Sequence, residues 1–357
     1  MDSLTTKQPE LLINGRFLTQ QVSGVQAFAR SICREISATL NFKIVIPGKA
    51  VLLDDEFSDR IIRFGSLQGH LWEQMELPLF VKRNTGTILL NLCNTAPLNL
   101  KNQVITIHDL AFRKNPNWFN PFFSSFYNFL IPRISETSKA IITVSQTIKN
   151  ELTGQYGISK DKIFVVGNKV GETFLEAEES IPEDLNLKKN HFFLMVGSDD
   201  PRKNFGMIAR LFRNGFHDTK LVIAGGGNRN FNTSQKLHNS EHIVLTGYIN
   251  DRELKWLYRN SLAFINPSLY EGFGIPNLEA MSQETIVLCS DIPVFREICR
   301  DAAIYFDPTD SHAVGTVFEN ILHNNVNRHS VISKGKGIFE EFQSKNRTST
   351  LLTALTR

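Results

Sequence analysis

The stretch Ala263-Phe264-Ile265-Asn266-Pro267-Ser268-Leu269-Tyr270-Glu271-Gly272-Phe273-Gly274-Ile275-Pro276-Asn277-Leu278-Glu279-Ala280-Met281 decides how this chain is read. A short apolar strand ends at about Asn266, and a helix begins at Pro276. Proline suits the first helical position, where its missing N–H would have no partner anyway. Gly272 and Gly274 let the backbone approach a ligand closely. The free N–H groups at the helix start can bind an anion such as a phosphate. Two carboxylates lie eight residues apart, Glu271 in the loop and Glu279 in the expected first helical turn. One can accept hydrogen bonds from ribose hydroxyls while the other faces a sugar. The plainer alternative is a Gly-containing loop in which Glu279 merely favours the helix N-terminus.

A strand running through a glycine loop into a helix recurs along the chain. In the first half the strands are Leu11–Ile13, Lys43–Ile46, Thr87–Leu90, Val104–Ile107, Ala140–Val144 and Ile163–Val166, with helices at Val25 to about Leu40 and Gln146–Tyr156. Residues 168 to 190 are polar and acid-rich, the best place for an interdomain connection. A second series follows: strands at Phe192–Val196, Lys220–Ala224, His242–Leu245, Ala263–Ile265 and Thr285–Leu288, with helices at Met207–Phe212, Asp251–Tyr258 and Pro276–Met281. Buried strands alternating with helices imply parallel sheets covered on both faces. Two doubly wound units in tandem are expected. Ligands on such sheets bind beyond the carboxyl ends of the strands.

Composition agrees. The 357 residues make roughly two domains at ~150 residues each. With 41% hydrophobic and 21% charged residues, the chain is an ordinary globular one, which excludes a fibre, a disordered tail or a disulfide-stapled miniprotein. The 39 basic and 36 acidic residues nearly balance at +3, so nucleic acid is not the expected partner. Cys33, Cys93, Cys289 and Cys299 form no C-x-x-C pair and read as reduced thiols. The N-terminus is polar and no apolar run reaches the ~18 residues of a membrane span, so the expected location is the cytoplasm. Phenylalanine is in excess: 27 against 6 Tyr and 3 Trp. It clusters in Asn117–Pro132, where Phe126, Phe129 and Leu130 are expected to share a core-packing helix face; the functional alternative is a surface meeting the bilayer.

Other loops after strands carry chemistry. Gly197-Ser198-Asp199-Asp200-Pro201-Arg202-Lys203-Asn204 puts two cations at the mouth of a sheet, where a departing diphosphate needs charge; a solvated basic turn is the bland reading. Gly225-Gly226-Gly227-Asn228 allows tight backbone contact or is simply a turn. His108-Asp109 follows a strand, where a lone His is more often structural. Ser23-Gly24-Val25-Gln26 reads as a helix start capped by Ser23 that can also present backbone N–H groups to a ligand.

From Tyr270 to Met281, the spacing Glu271–x7–Glu279 within Tyr-Glu-Gly-Phe-Gly-Ile-Pro resembles the signature of retaining glycosyltransferases of family 4. The resemblance spans nearly the whole chain. It takes in Asn14-Gly15-Arg16-Phe17, Ser23 to Gln26, His108-Asp109-Leu110, Thr143-Val144-Ser145, Gly197-Ser198 with Pro201 to Asn204, and Gly247-Tyr248. It continues through Ser290-Asp291-Ile292-Pro293 with Glu297, and Tyr305-Phe306-Asp307-Pro308. It implies the GT-B fold, two Rossmann-like doubly wound domains facing across a cleft. Residues 1–170, with a C-terminal helix of about 339–357 crossing back, would bind the acceptor; residues 171–338 would bind the nucleotide sugar.

The resemblance also implies roles. Glu279 would bind the ribose and Glu271 would sit by the donor sugar. Arg202 and Lys203 would hold the diphosphate and assist its departure. Gly197 and Gly272 would belong to the donor site, and backbone groups around Phe273, Gly274 and Ile275 would meet the phosphates or sugar. Gly24 would lie near the phosphate, and His108 near the donor sugar or reacting centre. Transfer would proceed with retention, by front-face attack, without a metal or a resident cofactor. The chain is most similar in flavour to bacterial mannosyl- and rhamnosyltransferases of surface polysaccharide synthesis. That implies a saccharide or lipid-linked acceptor, peripheral contact with the inner face of the membrane, and GDP-mannose as the leading donor. Two departures stand out. Ser282-Gln283-Glu284-Thr285-Ile286-Val287 replaces the family's Ala-x-Gly-x-Pro-Val, leaving that turn's geometry open. Arg202 and Lys203 are adjacent, where many relatives separate the two cations.

Rival classes fit less well. A nicotinamide dehydrogenase needs glycine at 230 if Gly225 and Gly227 open its fingerprint, and residue 230 is Asn. No G-x-x-x-x-G-K-[ST] occurs, which excludes a P-loop nucleotidase, and no Asp-x-Asp metal pair is present. A GT-B nucleotide-sugar epimerase, or an inactive binding protein on this fold, is the remaining alternative.

Overall fold

The computed structural model describes residues 11–216, 218–226 and 237–357. Gly227 and Asn228 of the triple-glycine loop lie outside the described residues. The chain forms two units. One comprises the described residues up to Leu110 with Ser125–Gly167 and Asn346–Arg357; the other comprises Ala111–Ser124 and Asn168–Lys345.

The first unit holds seven strands: β1 (Leu11–Asn14), β2 (Phe42–Pro47), β3 (Ile61–Phe64), β4 (Leu89–Asn91), β5 (Gln103–Ile107), β6 (Ala140–Thr143) and β7 (Ile163–Val165). They pair in parallel in the order β3-β2-β1-β4-β5-β6-β7. Their apolar runs are buried on both faces, as parallel strands under helices must be. Ile13 registers with Ile44, and Leu90 with Val104.

The second unit holds six: β8 (Phe192–Val196), β9 (Lys220–Ala224), β10 (Ile243–Gly247), β11 (Phe264–Asn266), β12 (Val287–Ser290) and β13 (Ala303–Phe306), all parallel, in the order β10-β9-β8-β11-β12-β13. Its core is built from Phe193, Phe212 and Phe318 with Ile208, Ile265 and Leu288. Much of the phenylalanine excess lies here, in ring-on-ring packing.

Both sheets reverse their strand order once, at β1/β4 and at β8/β11. At such a switch point, the loops leaving two neighbouring strands diverge and open a crevice at the carboxyl edge. In the second unit these are the loops carrying Arg202-Lys203 and Glu271.

β3 and β13 were not expected. Both are largely half-buried sheet-edge strands; Arg63 breaks the apolar run of β3, while β13 is an unbroken apolar run that the sequence reading overlooked. The chain path differs from a cut at residue 170 in two places. Residues 111–124 group with the second unit, where Lys114 Nζ lies 5.2 Å over the Tyr270 ring. Residues 339–345 do not cross back: they finish the Arg328–Ser344 helix, which packs on the Ile275–Ser282 helix. The return starts at Asn346. The Arg347–Leu355 helix docks on β6 and the Gly24–Ser37 helix, and buried Arg347 pairs with Glu35 at 2.7 Å.

The phenylalanine-rich helix runs Pro121–Thr137. Leu130 is fully buried, but Phe129 does not share its face: it is half-exposed, with the Arg133 guanidinium 3.7 Å over its ring.

Candidate active site

In the second unit, Asp200 starts a single 3-10 turn, Pro201–Lys203, by accepting a hydrogen bond from the Lys203 N–H. Asn204 then turns left-handed, φ 55°, before the Phe205–Asn214 helix. This tight turn explains how two adjacent cations serve one point. Arg202 Nη1 donates to Glu271 Oε2 at 2.7 Å, and Lys203 Nζ donates to Glu271 Oε1 at 2.6 Å. The Leu269 N–H donates to the Arg202 carbonyl at 2.8 Å and ties the two loops together. Asp200 lies 3.6 Å from Arg202 Nε. Lys203 and Glu271 are both buried. Burial pushes the Glu271 carboxyl up, but the charges of Arg202 and Lys203 outweigh it and hold the group down at about 2.

The glycines fit this close packing. Gly197 has φ 145°, and a Cβ there would stand 3.3 Å from Lys203 Cε, so the lysine stem lies across the glycine. Gly274 has φ 99°, and a Cβ there would meet Phe295 Cε1 at 2.6 Å. The helix spans Ile275–Ser282, so Pro276 is its second residue. Glu279 is therefore the fifth residue, beyond the first turn, and does not serve the helix N-terminus as the sequence suggested.

Glu279 instead points back to Tyr258, whose hydroxyl donates to its Oε2 at 2.8 Å. Burial raises the Glu279 carboxyl to about 7, the Tyr258 bond opposes the rise, Asp251 adds to it, and Lys203 opposes it. Glu271 and Glu279, eight residues apart, thus differ sharply in charge near neutral pH. Gly272 is buried beside Glu271, Phe273 packs edge-on against Phe342 at 5.6 Å, and Ile275 is half-buried. Phe273 therefore offers only its backbone.

The Ser282–Val287 turn keeps the geometry a glycine would give. Glu284 stands at φ 55°, with its carboxylate 3.2 Å from Lys336 Nζ.

In the first unit, His108 is buried after β5. Its Nε2 lies 2.9 Å from the Leu92 carbonyl oxygen and must donate to it, and Phe28 meets its ring edge-on at 4.9 Å. Burial lowers its pKa, against the Leu92 bond and the Asp109 charge, so the imidazole is neutral with its proton on Nε2. Gly24 opens the Gly24–Ser37 helix, and a Cβ there would meet nothing within 4 Å. No packing among the described residues requires glycine at 24.

The first sheet's switch point holds a cluster that the sequence reading missed. Glu73 is fully buried, in a π-helical turn, Trp72–Glu76. Its Oε1 accepts from Asn14 at 2.7 Å and Thr95 at 3.0 Å, and its Oε2 from Arg16 at 2.6 Å. His70 lies 3.3 Å from Oε2. Asn14 ends β1, Arg16 follows it, and Thr95 follows β4, so this is the counterpart of the Arg202–Lys203–Glu271 group. Arg16 stood in a recognised motif, but nothing near Glu73 marks it: a charged residue in an amphipathic stretch reads as solvent-facing.

Two doubly wound parallel sheets, each with charged side chains gathered at its switch point, define the GT-B class. The model for Glycosyl transferases group 1 matches residues 177–337, and the model for Glycosyltransferase Family 4 matches residues 83–171. The chain is 28% identical to an O-antigen chain mannosyltransferase, RfbU, of Salmonella typhimurium, covering 86% of this chain and 85% of that one. It is 24% identical to O-antigen chain mannosyltransferase B of Escherichia coli, over 72% of this chain and 71% of that one. Sucrose-phosphate synthase from Thermosynechococcus elongatus shares the fold, with a TM-score of 0.69, 16% identity and 97% of each chain covered. Residues 177–337 thus form a domain of the Glycosyl transferases group 1 type and residues 83–171 match the Family 4 type, and the chain is a glycosyltransferase.

Proposed function

We propose that this enzyme is a retaining mannosyltransferase of surface polysaccharide (O-antigen) synthesis. It takes mannose from a nucleotide diphosphate, GDP-mannose first among the candidates, and passes it to a saccharide or lipid-linked oligosaccharide. The observation that carries this reading is the pair Arg202 and Lys203 on one buried carboxylate, Glu271, at the switch point. Two cations gathered on a carboxylate can move to a diphosphate, which bears more charge and gains more as its bond to the sugar breaks. The names of the relatives support mannose as the sugar and O-antigen as the product.

In this reading Glu271, released by the cations, faces the sugar hydroxyls. Glu279 keeps one oxygen on Tyr258 and offers the other to the ribose. Backbone N–H groups near Phe273, Gly274 and Ile275, with Gly197 and Gly272, take the phosphates or sugar. Gly24 leaves space for a phosphate, and the Nδ1 lone pair of His108 accepts from a sugar hydroxyl. Retention follows if the acceptor attacks from the face the diphosphate leaves, with a phosphate oxygen taking its proton. The two cations supply the charge that a metal supplies in other transferases.

The acceptor belongs to the first unit. Leu71, Met75 and Leu79 follow one another at four-residue spacing along one helix and are 64%, 58% and 52% exposed, just ahead of Lys82 and Arg83. No helix among the described residues is long and apolar enough to cross a membrane. A short apolar stripe ending in two cations suits peripheral contact with an anionic bilayer at the cytoplasmic face. This stripe, more than Asn117–Pro132, is the surface to test. Sedimentation with phosphatidylglycerol vesicles should fall for Leu71→Ser/Met75→Ser; unchanged binding removes the membrane reading.

The test of function is a panel of nucleotide sugars with a lipid-linked acceptor, each product's anomeric linkage being read by NMR. Mannose transfer from GDP-mannose with an α product is expected. An inverted linkage, transfer of another sugar only, or epimerisation without transfer overturns the corresponding part.

A further inference from the structure

Behind Glu271 lies a chain of buried polar side chains that the reading above leaves unused. Ser268 is fully buried. Its Oγ lies 2.8 Å from Asn266 Oδ1 and 3.1 Å from Glu271 Oε1, and both are acceptors. A hydroxyl carries one proton, so Ser268 serves one of them at a time. The Asn266 amide cannot release it by turning, because its Nδ2 donates to Asn277 Oδ1 at 2.9 Å, and Asn277 Nδ2 lies 3.3 Å from Cys299 Sγ. Asn266 and Asn277 are buried too, in β11 and in the helix after the glycine loop. The chain thus anchors Ser268 to the rigid part of the unit and sets it beside the carboxylate that must change partners.

Arg202 and Lys203 both pair with Glu271, and the shorter Ser268 contact is to Asn266. When the cations turn to a diphosphate, Glu271 is left buried with its counter-charges drawn away. A carboxylate in that position either gains a donor or takes up a proton. Ser268 Oγ is already within reach. We propose that Ser268 is a positioning residue for transfer: its hydroxyl swings from Asn266 to Glu271 as Arg202 and Lys203 engage the donor diphosphate, and so keeps Glu271 ionised and aimed at the sugar.

This rests on Arg202 and Lys203 holding the diphosphate, as proposed above. The charged groups around Glu271 are Arg202 and Lys203, with Asp200 beside Arg202, and Glu279 within the field of Lys203. Ser268 acts on Glu271 and not on the diphosphate in this proposal, so its loss should spare binding and impair turnover. For Ser268→Ala, the affinity for GDP should stay within about twofold, while kcat for transfer should fall about ten- to hundredfold. The acid limb of the kcat profile should move up by about one pH unit as Glu271 protonates more readily. Ser268→Thr, which keeps the hydroxyl, should recover most of kcat and return the limb. If Ser268→Ala does not fold, Ser268→Cys, with a weaker donor in similar volume, should show the same upward shift in smaller size. An unchanged kcat and acid limb in Ser268→Ala or Ser268→Cys overturns the proposal. Loss of GDP affinity in step with kcat also overturns it, because the residue would then only hold the loop. The parent reading is read out separately: if Arg202→Ala/Lys203→Ala binds GDP as the parent does, that reading fails, whatever Ser268 does.

Discussion

Glu279 and Glu271 show how placement divides two like residues. Glu279 stands at about 7 when folded, against an ordinary value near 4.5. The folded state therefore binds more protons between those values, and the group costs stability as pH rises through that window, with the full cost present above 7. Glu279→Gln keeps an acceptor for Tyr258 and removes the cost. Urea unfolding should show it gaining on the parent by about 1–3 kcal/mol between pH 5 and pH 8, while it loses donor affinity. An equal stability difference at both pH values would show that Glu279 is not held neutral. Glu271 has the opposite sign. Its value of about 2 gives stability that is present above about 4.5 and lost as pH falls toward 2. Glu271→Gln removes the carboxylate that Arg202 and Lys203 share. Calorimetry should find GDP bound at least as tightly as by the parent while mannose transfer collapses, since the carboxylate no longer competes with the diphosphate. Weakened GDP binding would mean that the carboxylate organises the cations rather than competing.

At the scale of the element, two turns near the site carry opposite backbone demands. Gly274 caps its helix at φ 99° with Phe295 close against it. Gly274→Ala adds a Cβ where both the conformation and the space forbid one, and should cost about 2–4 kcal/mol in chemical denaturation. Glu284 pays the reverse cost at φ 55°, where the resembling family carries glycine. Glu284→Gly should raise stability by about 1 kcal/mol, less the exposed Lys336 pair it removes. A loss on Glu284→Gly would mean that the ion pair outweighs the backbone strain. The departure from the family's pattern is thus one of residue type, with the turn itself kept. The interior strands and several helices were legible, because buried parallel strands are short unbroken apolar runs and those helices are periodic; the Ser311–Leu322 helix and most of the Arg328–Ser344 helix were not. β3 was not, because Arg63 interrupts its apolar run, and β13, an unbroken apolar run, was overlooked inside the Tyr305–Pro308 motif. The turn Pro201–Lys203 was not legible either: nothing in an Arg-Lys dipeptide says that one 3-10 turn will bring both side chains to the same carboxylate.

At the scale of the whole molecule, the chain leaves the first unit and returns to it. Arg347 is buried against Glu35 and Ser31 of the Gly24–Ser37 helix, more than three hundred residues away in sequence. Arg347→Ala removes the ion pair with Glu35 and the bond to Ser31 in a largely buried place and should cost about 1–3 kcal/mol. Hydrogen exchange should show the loss in the Gly24–Ser37 helix and β6 while the second unit keeps its protection. Uniform loss in both units would show that they unfold together. The sequence by itself determined the class: alternating apolar runs and periodic helices leave few solutions other than two doubly wound parallel sheets, and the motifs name the family. It also put forward the candidate donor-site residues, because these follow strands in recognisable loops. Only the tertiary structure decided which of them meet. Arg202 and Lys203 reach Glu271 across 69 and 68 residues, and Arg16 reaches Glu73 in the same manner in the first unit. Both encounters happen where the strand order reverses: the loops after β8 and β11 become neighbours there, and in the first unit the segment after β1 meets the helical turn Trp72–Glu76. Strand order is a long-range choice that local periodicity does not carry, and with it come the burial and the charge partners that set Glu271 at about 2 and Glu279 at about 7.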